Sequence, residues 1–152
     1  MKILARQLTV DLYNCKTSVL SDTSLFQSVV KRALLNQGYV SIQVVTEDME
    51  DDHFALIAVH SGGHLALHVY RELLYVSADV FLCHEEAEPE EIYKELRNFF
   101  KPEKMKTTFL KRGDFGQVKD IKPKIKTRVA PLRKIHNTGA KVVRILARRN
   151  HK

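Results

Sequence analysis

Residues 54–83 hold three alternating apolar–polar stretches joined by very short links, and this spacing predicts antiparallel hairpins. Stretches 54–60 and 64–70 are separated by Ser61-Gly62-Gly63, a glycine-bearing turn. Leu65, Leu67 and Val69 alternate with His64, Ala66, His68 and Tyr70, the period of a strand rather than a helix. In stretch 75–83, Asp79, Phe81 and Cys83 share one face, opposite Val76, Ala78, Val80 and Leu82.

The flanking sequence completes a pattern. Leu8, Val10 and Leu12 alternate with Gln7, Thr9 and Asp11, predicting a strand. Asp22 is a candidate N-cap for a helix over 23–37, with Leu25, Val29, Ala33 and Leu34 on one stripe and Gly38 as its stop. Residues 39–46 read as a strand with Val40, Ile42 and Val44 on one face, followed by a solvated acidic loop at 47–52. Pro89 at the first helical position, with Glu88, Glu90 and Glu91 around it, opens a helix to about residue 100. Its stripe is Ile92, Leu96, Phe99 and Phe100, and a last strand at 105–111 ends before Gly113. The order β-α-β-β-β-β-α-β predicts an α+β fold: a two-layer α/β sandwich, mainly antiparallel, with two helices on one face. Beyond residue 116 no strand pattern is expected, Pro123 and Pro131 break the segment, and only 140–149 reads as helical.

Charge divides the chain at the same point. Residues 1–116 carry 13 Lys and Arg against 17 Asp and Glu, a net of −4. Residues 117–152 carry 12 against Asp120 alone, a net of +11. The expected organisation is therefore a domain at 1–116 and a basic C-terminal extension at 117–152. Three readings of the extension stand side by side: a solvated tail, a phosphate-backbone binder, or a partner or membrane-surface helix around Val142, Val143, Ile145 and Leu146. No apolar run reaches the roughly 20 residues of a membrane span. Arg6 and Gln7 interrupt the N-terminus too early for a signal-peptide core. Cys15 and Cys83, far apart in sequence, predict free thiols and a cytoplasmic protein.

The chemistry candidates each have a plainer alternative. His64 and His68 at i, i+4 would suit a metal on a helix, but on a strand they stand about 13 Å apart, so no metal site is expected. Taken alone they are the polar face of a strand. Cys83 taken alone is a buried core cysteine. If its strand pairs with the histidine strand, Cys83 could lie near His68, where a thiol beside an imidazole can act as proton donor or nucleophile.

Together these residues resemble the short prokaryotic type of S-adenosylmethionine decarboxylase, a pyruvoyl-dependent family. The resemblance spans residues 3–116 and runs through Leu12-Tyr13-Asn14-Cys15, the helix after Asp22, His64, His68, Glu72, Tyr75 and Asp79-Val80-Phe81-Leu82-Cys83. It implies an α/β sandwich that dimerises. It further implies that His68 matches a histidine assisting backbone processing, Cys83 a proton-donating cysteine, and Glu72 a glutamate of the substrate site.

The departures cluster at the chemistry. The family's Glu-Ser pair is Gly62-Gly63, its Trp-Pro pair is Tyr70-Arg71, and the glycine before Tyr75 is Leu74. A Gly-Val-Ser-Gly segment with a nearby aromatic is replaced across residues 49–55. The family serine attacks the preceding carbonyl, and the resulting ester eliminates to leave the pyruvoyl group, an electron sink for decarboxylation. Gly63 has no oxygen to begin this. The expectation is a non-processed, dimeric, cytoplasmic pseudoenzyme with no cofactor, binding an adenosyl or polyamine-like ligand through Glu72, Tyr70 and His64, or regulating a partner. The alternatives are an active decarboxylase in spermidine synthesis whose pyruvoyl group comes from Ser61, and a nucleic-acid-associated protein using residues 117–152.

Overall fold

The computed structural model describes residues 4–115 and 122–131. Its elements are β1 (Ala5–Tyr13), α1 (Thr17–Leu20), α2 (Ser24–Asn36), β2 (Ser41–Met49), β3 (His53–His60), β4 (Gly63–Tyr70), β5 (Tyr75–Leu82), α3 (Pro89–Phe100), β6 (Lys104–Arg112) and β7 (Lys124–Val129). The strands form one seven-stranded sheet in the order β2-β3-β4-β5-β1-β6-β7, every neighbour antiparallel. The predicted two-layer α+β sandwich is the observed architecture.

Alternation decides which face is buried. Leu8, Val10 and Leu12 of β1, Leu56 of β3, Leu65, Leu67 and Val69 of β4 and Val76, Val80 and Leu82 of β5 form one apolar face. The two long helices cover it with Phe26, Val29, Val30, Ala33 and Leu34 of α2 and Ile92, Tyr93, Leu96 and Phe100 of α3. Phe26 sits among Phe54, Phe99 and Phe100 with ring centroids 5.3–6.2 Å apart. Truncating such a ring costs about 3–5 kcal/mol. The other sheet face has no helix over it among the described residues, and it carries His64, His68, Tyr70, Ser77, Asp79 and Phe81.

Several expectations need correction. Leu25 is 44% exposed, and Phe26 and Val30 take its place on the buried stripe. Thr23, rather than Asp22, stands at the N-cap of α2, although the Asp22 carboxylate still accepts the Ser24 N–H at 3.1 Å. Val40, Ile42 and Val44 do not share a face, because the β2–β3 register shifts between Ser41 and Gln43 and Ile42 is left 70% exposed. Glu47 and Asp48 belong to β2 itself. A strand does form beyond residue 116: β7 pairs with β6, so the basic extension contributes the sheet's last strand. The helix expected over 140–149 lies outside the described residues.

Candidate functional site

The β4–β5 hairpin sets the geometry of the open face. Tyr70 pairs with Tyr75, and the register then places His68 opposite Ser77, Ala66 opposite Asp79 and His64 opposite Phe81. Cys83, one residue past the end of β5, donates its N–H to the Gly62 carbonyl at 2.8 Å. His68 and Cys83 therefore lie at opposite ends of the hairpin, roughly 20 Å apart at about 3.3 Å per residue. The expected His68–Cys83 neighbourhood does not exist within one chain, and the histidine at the cysteine's end is His64. Cys83 is exposed and Cys15 is buried, which reverses the plainer reading of Cys83 as a core residue. Burial pushes the Cys15 thiol up to about 12.

The glycine end is closely built. Ser61 and Gly62 form the turn between paired His60 and Gly63. The Gly62 N–H donates to Nδ1 of His60 at 3.1 Å. A Cβ on Gly62 would lie 2.2 Å from the Tyr39 ring. A Cβ on Gly63 would lie 2.0 Å from the Phe81 carbonyl oxygen, and Gly63 itself has φ +147°. The obstacle at Gly63 is backbone of a central strand and cannot swing aside as a ring can. An L-residue there is strained by its φ and forces the neighbouring backbone to shift. Ser61 faces the other way: its hydroxyl accepts the Val40 N–H at 3.1 Å, and its own N–H donates to the Val40 carbonyl at 2.9 Å. Ser61 thus bonds to the chain entering β2, whereas Gly62 bonds to Cys83 on the β5 side.

His60, absent from the sequence reading, fixes this turn from beneath. It is 3% exposed among Phe54, Leu56 and Ala58 on the helix-covered face. Burial and the nearby His64 push its pKa down. Because Nδ1 accepts a hydrogen bond, the neutral ring carries its proton on Nε2, which has no hydrogen-bond partner among the described residues.

The far end is held by side chains. His68 Nδ1 lies 2.8 Å from Nε2 of His53. His53 stacks on Tyr70 with centroids 4.2 Å apart and planes at 10°. Tyr75 contacts the rings of Tyr70 and Tyr13 and donates to the Asp11 carboxylate at 2.5 Å. Burial, then the hydrogen bond to Asp11, raises the Tyr75 pKa. Arg71 spans two carboxylates, Asp48 at 2.6 Å and Asp52 at 2.8 Å, so part of the acidic segment anchors the β4–β5 turn to the β2–β3 turn. Glu72 lies exposed in that turn. At the glycine end, His64 stacks on Phe81, centroids 5.1 Å apart. The signal for His53 was available, because hairpin pairing from His60–Gly63 puts His53 across from Tyr70, diagonal to His68.

Known proteins resemble this chain in sequence and in fold. The family model for S-adenosylmethionine decarboxylase matches residues 6–113. A relative from Methanococcus maripaludis named S-adenosylmethionine decarboxylase proenzyme is 33% identical over 122 residues, covering 79% of this chain and all of that protein. One of the same name from Acetivibrio thermocellus is 30% identical over 117 residues, 77% of this chain and 94% of its own length. The solved structure of adenosylmethionine decarboxylase from Aquifex aeolicus superposes with TM-score 0.65 at 14% identity, over 80% of this chain and 100% of that one, a likeness of fold.

Proposed function

The chain belongs to the S-adenosylmethionine decarboxylase family, and from that premise we propose that it is a member that neither cleaves itself nor forms a pyruvoyl group, and that it binds an adenosyl ligand on its open sheet face. The observation carrying this reading is the packing at Gly63. A lost serine alone would leave room for a side chain, whereas here the Phe81 carbonyl oxygen stands 2.0 Å from where a Cβ would be. The engagement of Ser61 with Val40 counts against its use as a substitute, since an attacking hydroxyl must approach its target carbonyl closely.

The face suits an adenosyl sulfonium ligand. His64 on Phe81 and His53 on Tyr70 offer flat surfaces to a purine ring. A sulfonium or ammonium cation would find the Tyr70 and Tyr75 rings beside Asp11, and Asp79 further along the face. His68 and Cys83 would then serve binding rather than proton transfer. With Ile57 and Val59 also 48% and 44% exposed on this face, a second copy packed against it would remove apolar surface from water. A two-fold axis between the two faces, perpendicular to the strands at the hairpin centre, would set the His68 end of one protomer over the Cys83 end of its partner. The protein in this reading is a cytoplasmic homodimer.

The test is titration calorimetry with S-adenosylmethionine together with measurement of CO₂ release. Binding without CO₂ release is the expected result. Catalytic turnover would overturn the reading, and absence of binding would remove the ligand half of it.

A further inference from the structure

The sheet is wider than its cover. Seven strands at about 4.8 Å span roughly 29 Å, and two helices of about 10 Å cover about 20 Å of it. The uncovered strip lies over β6 and β7, on the same side as the helices. It forms a groove of about 510 Å³ between α3 and the β7 edge, floored by Leu8, Met105, Thr107 and Phe109.

Its walls are cationic. Arg6 of β1, Lys94 and Arg97 of α3, Lys111 of β6 and Lys124, Lys126 and Arg128 of β7 line it, against one carboxylate, Glu90. Register explains the concentration. Lys124, Lys126 and Arg128 pair with Phe109, Thr107 and Met105, so all three share the groove's side of the sheet. Lys94 is ion-paired with Glu91, and no other of these cations has an ion-pair partner among the described residues. Arg6 Nη1 reaches the Ala87 carbonyl at 3.2 Å, while its buried Nε has no partner among the described residues. Arg97 and Arg128, from opposite walls, both favour the ionised form of the Tyr93 hydroxyl at the groove floor, although burial dominates and raises its pKa. Beyond the described residues the sequence adds mainly positive charge: residues 132–152 hold seven Lys and Arg and no Asp or Glu, and residues 116–121 hold Lys119 and Asp120.

We propose that this groove binds the phosphate backbone of a single-stranded nucleic acid, with Lys124, Lys126 and Arg128 contacting successive phosphates. Same-face positions on a strand recur every 6.6–6.8 Å or so, which gives an extended row of charge rather than a single anion pocket. In the sequence, positive charge continues after residue 131 with seven further Lys and Arg, which suits a polyanion better than a mononucleotide. At the opposite edge of the sheet, Glu47 and Asp48 of β2 are followed by Glu50, Asp51 and Asp52. The molecule is therefore polarised and would present its β7 edge to a polyanion. This site is separate from the open-face ligand site and does not depend on it.

The experiment is fluorescence anisotropy of a labelled 20-nucleotide RNA, and of DNA of the same sequence, with the full chain across a salt series. The K124Q/K126Q/R128Q variant should bind about tenfold or more weakly near physiological salt, and its log–log salt slope should be shallower by about 2–3. The K124R/K126R variant should bind as the parent does. All three positions are exposed, and a thermal melt checks the fold. If the triple variant melts early, K126Q alone should still reduce the slope by roughly 1. Unchanged slope in the variants overturns the proposal. So does binding abolished by deleting residues 132–152 while the triple variant binds normally. Inorganic triphosphate competing as tightly as the 20-mer would replace the polymer with a small phosphorylated ligand.

Discussion

The two ends of the β4–β5 hairpin are built on opposite principles. At the glycine end, close backbone approach fills the volume that side chains would take: Tyr39 lies over Gly62 and the Phe81 carbonyl over Gly63. At the other end side chains provide the structure, through the His53–His68 contact, the Tyr70–Tyr75–Tyr13 rings and Arg71 between Asp48 and Asp52. The consequences for the two ends differ. Tyr70 and Arg71 find partners in His53 and two aspartates. At Gly62-Gly63 the strands close over the volume that side chains would take. One end of a hairpin can thus be held by side-chain contacts while the other is sealed by backbone packing.

The strongest challenge to this contrast is G63S. It should destabilise the fold by about 2–4 kcal/mol in urea unfolding, from the unfavourable φ and the forced shift of β5, and it should remain uncleaved. A G63S chain as stable as the parent would show that the glycine end is merely vacant. R71A should cost less, about 1 kcal/mol, because the guanidinium is partly exposed and Asp48 is largely solvated. Its loss should loosen the β2–β3 and β4–β5 turns without affecting the glycine end, a difference that amide exchange at Asp52 and Gly62 would resolve.

A smaller effect is expected from pH. The folded-state pKa of His60 is lowered, so the unfolded chain takes up its proton more readily than the folded one. Its contribution to stability is full above its ordinary value of 6.5 and is lost as pH falls through the folded value. H60N keeps an acceptor near the Nδ1 position but cannot titrate. Its stability should depend less on pH between 7 and 5 than the parent's, and equal dependence would remove His60 as the pH-sensitive element under the turn.

Much of this was legible in sequence, for identifiable reasons. The core strands announce themselves because Leu8-Val10-Leu12 and Leu65-Leu67-Val69 alternate cleanly, and Pro89 marks the start of α3 where it should. Alternation does not reveal register. The separation of His68 from Cys83 follows only once Tyr70 is paired with Tyr75, because the turn length fixes every later pair. The burial of Phe26 over Leu25 was ambiguous because neighbouring residues differ by only about 100° around a helix. Strand β7 was hidden by its charge: Lys124, Lys126 and Arg128 read as a tail, although Ile125, Thr127 and Val129 alternate with them. The contacts at Gly63 could not be read from sequence, since they depend on how closely β4 approaches β5.

The central claim, that the glycine end is sealed against self-processing, is tested most directly by the intact mass of the purified protein under denaturing conditions. One species at 17.5 kDa is the predicted result. Two fragments divided near residue 60, the larger with a ketone-reactive N-terminus, would contradict it.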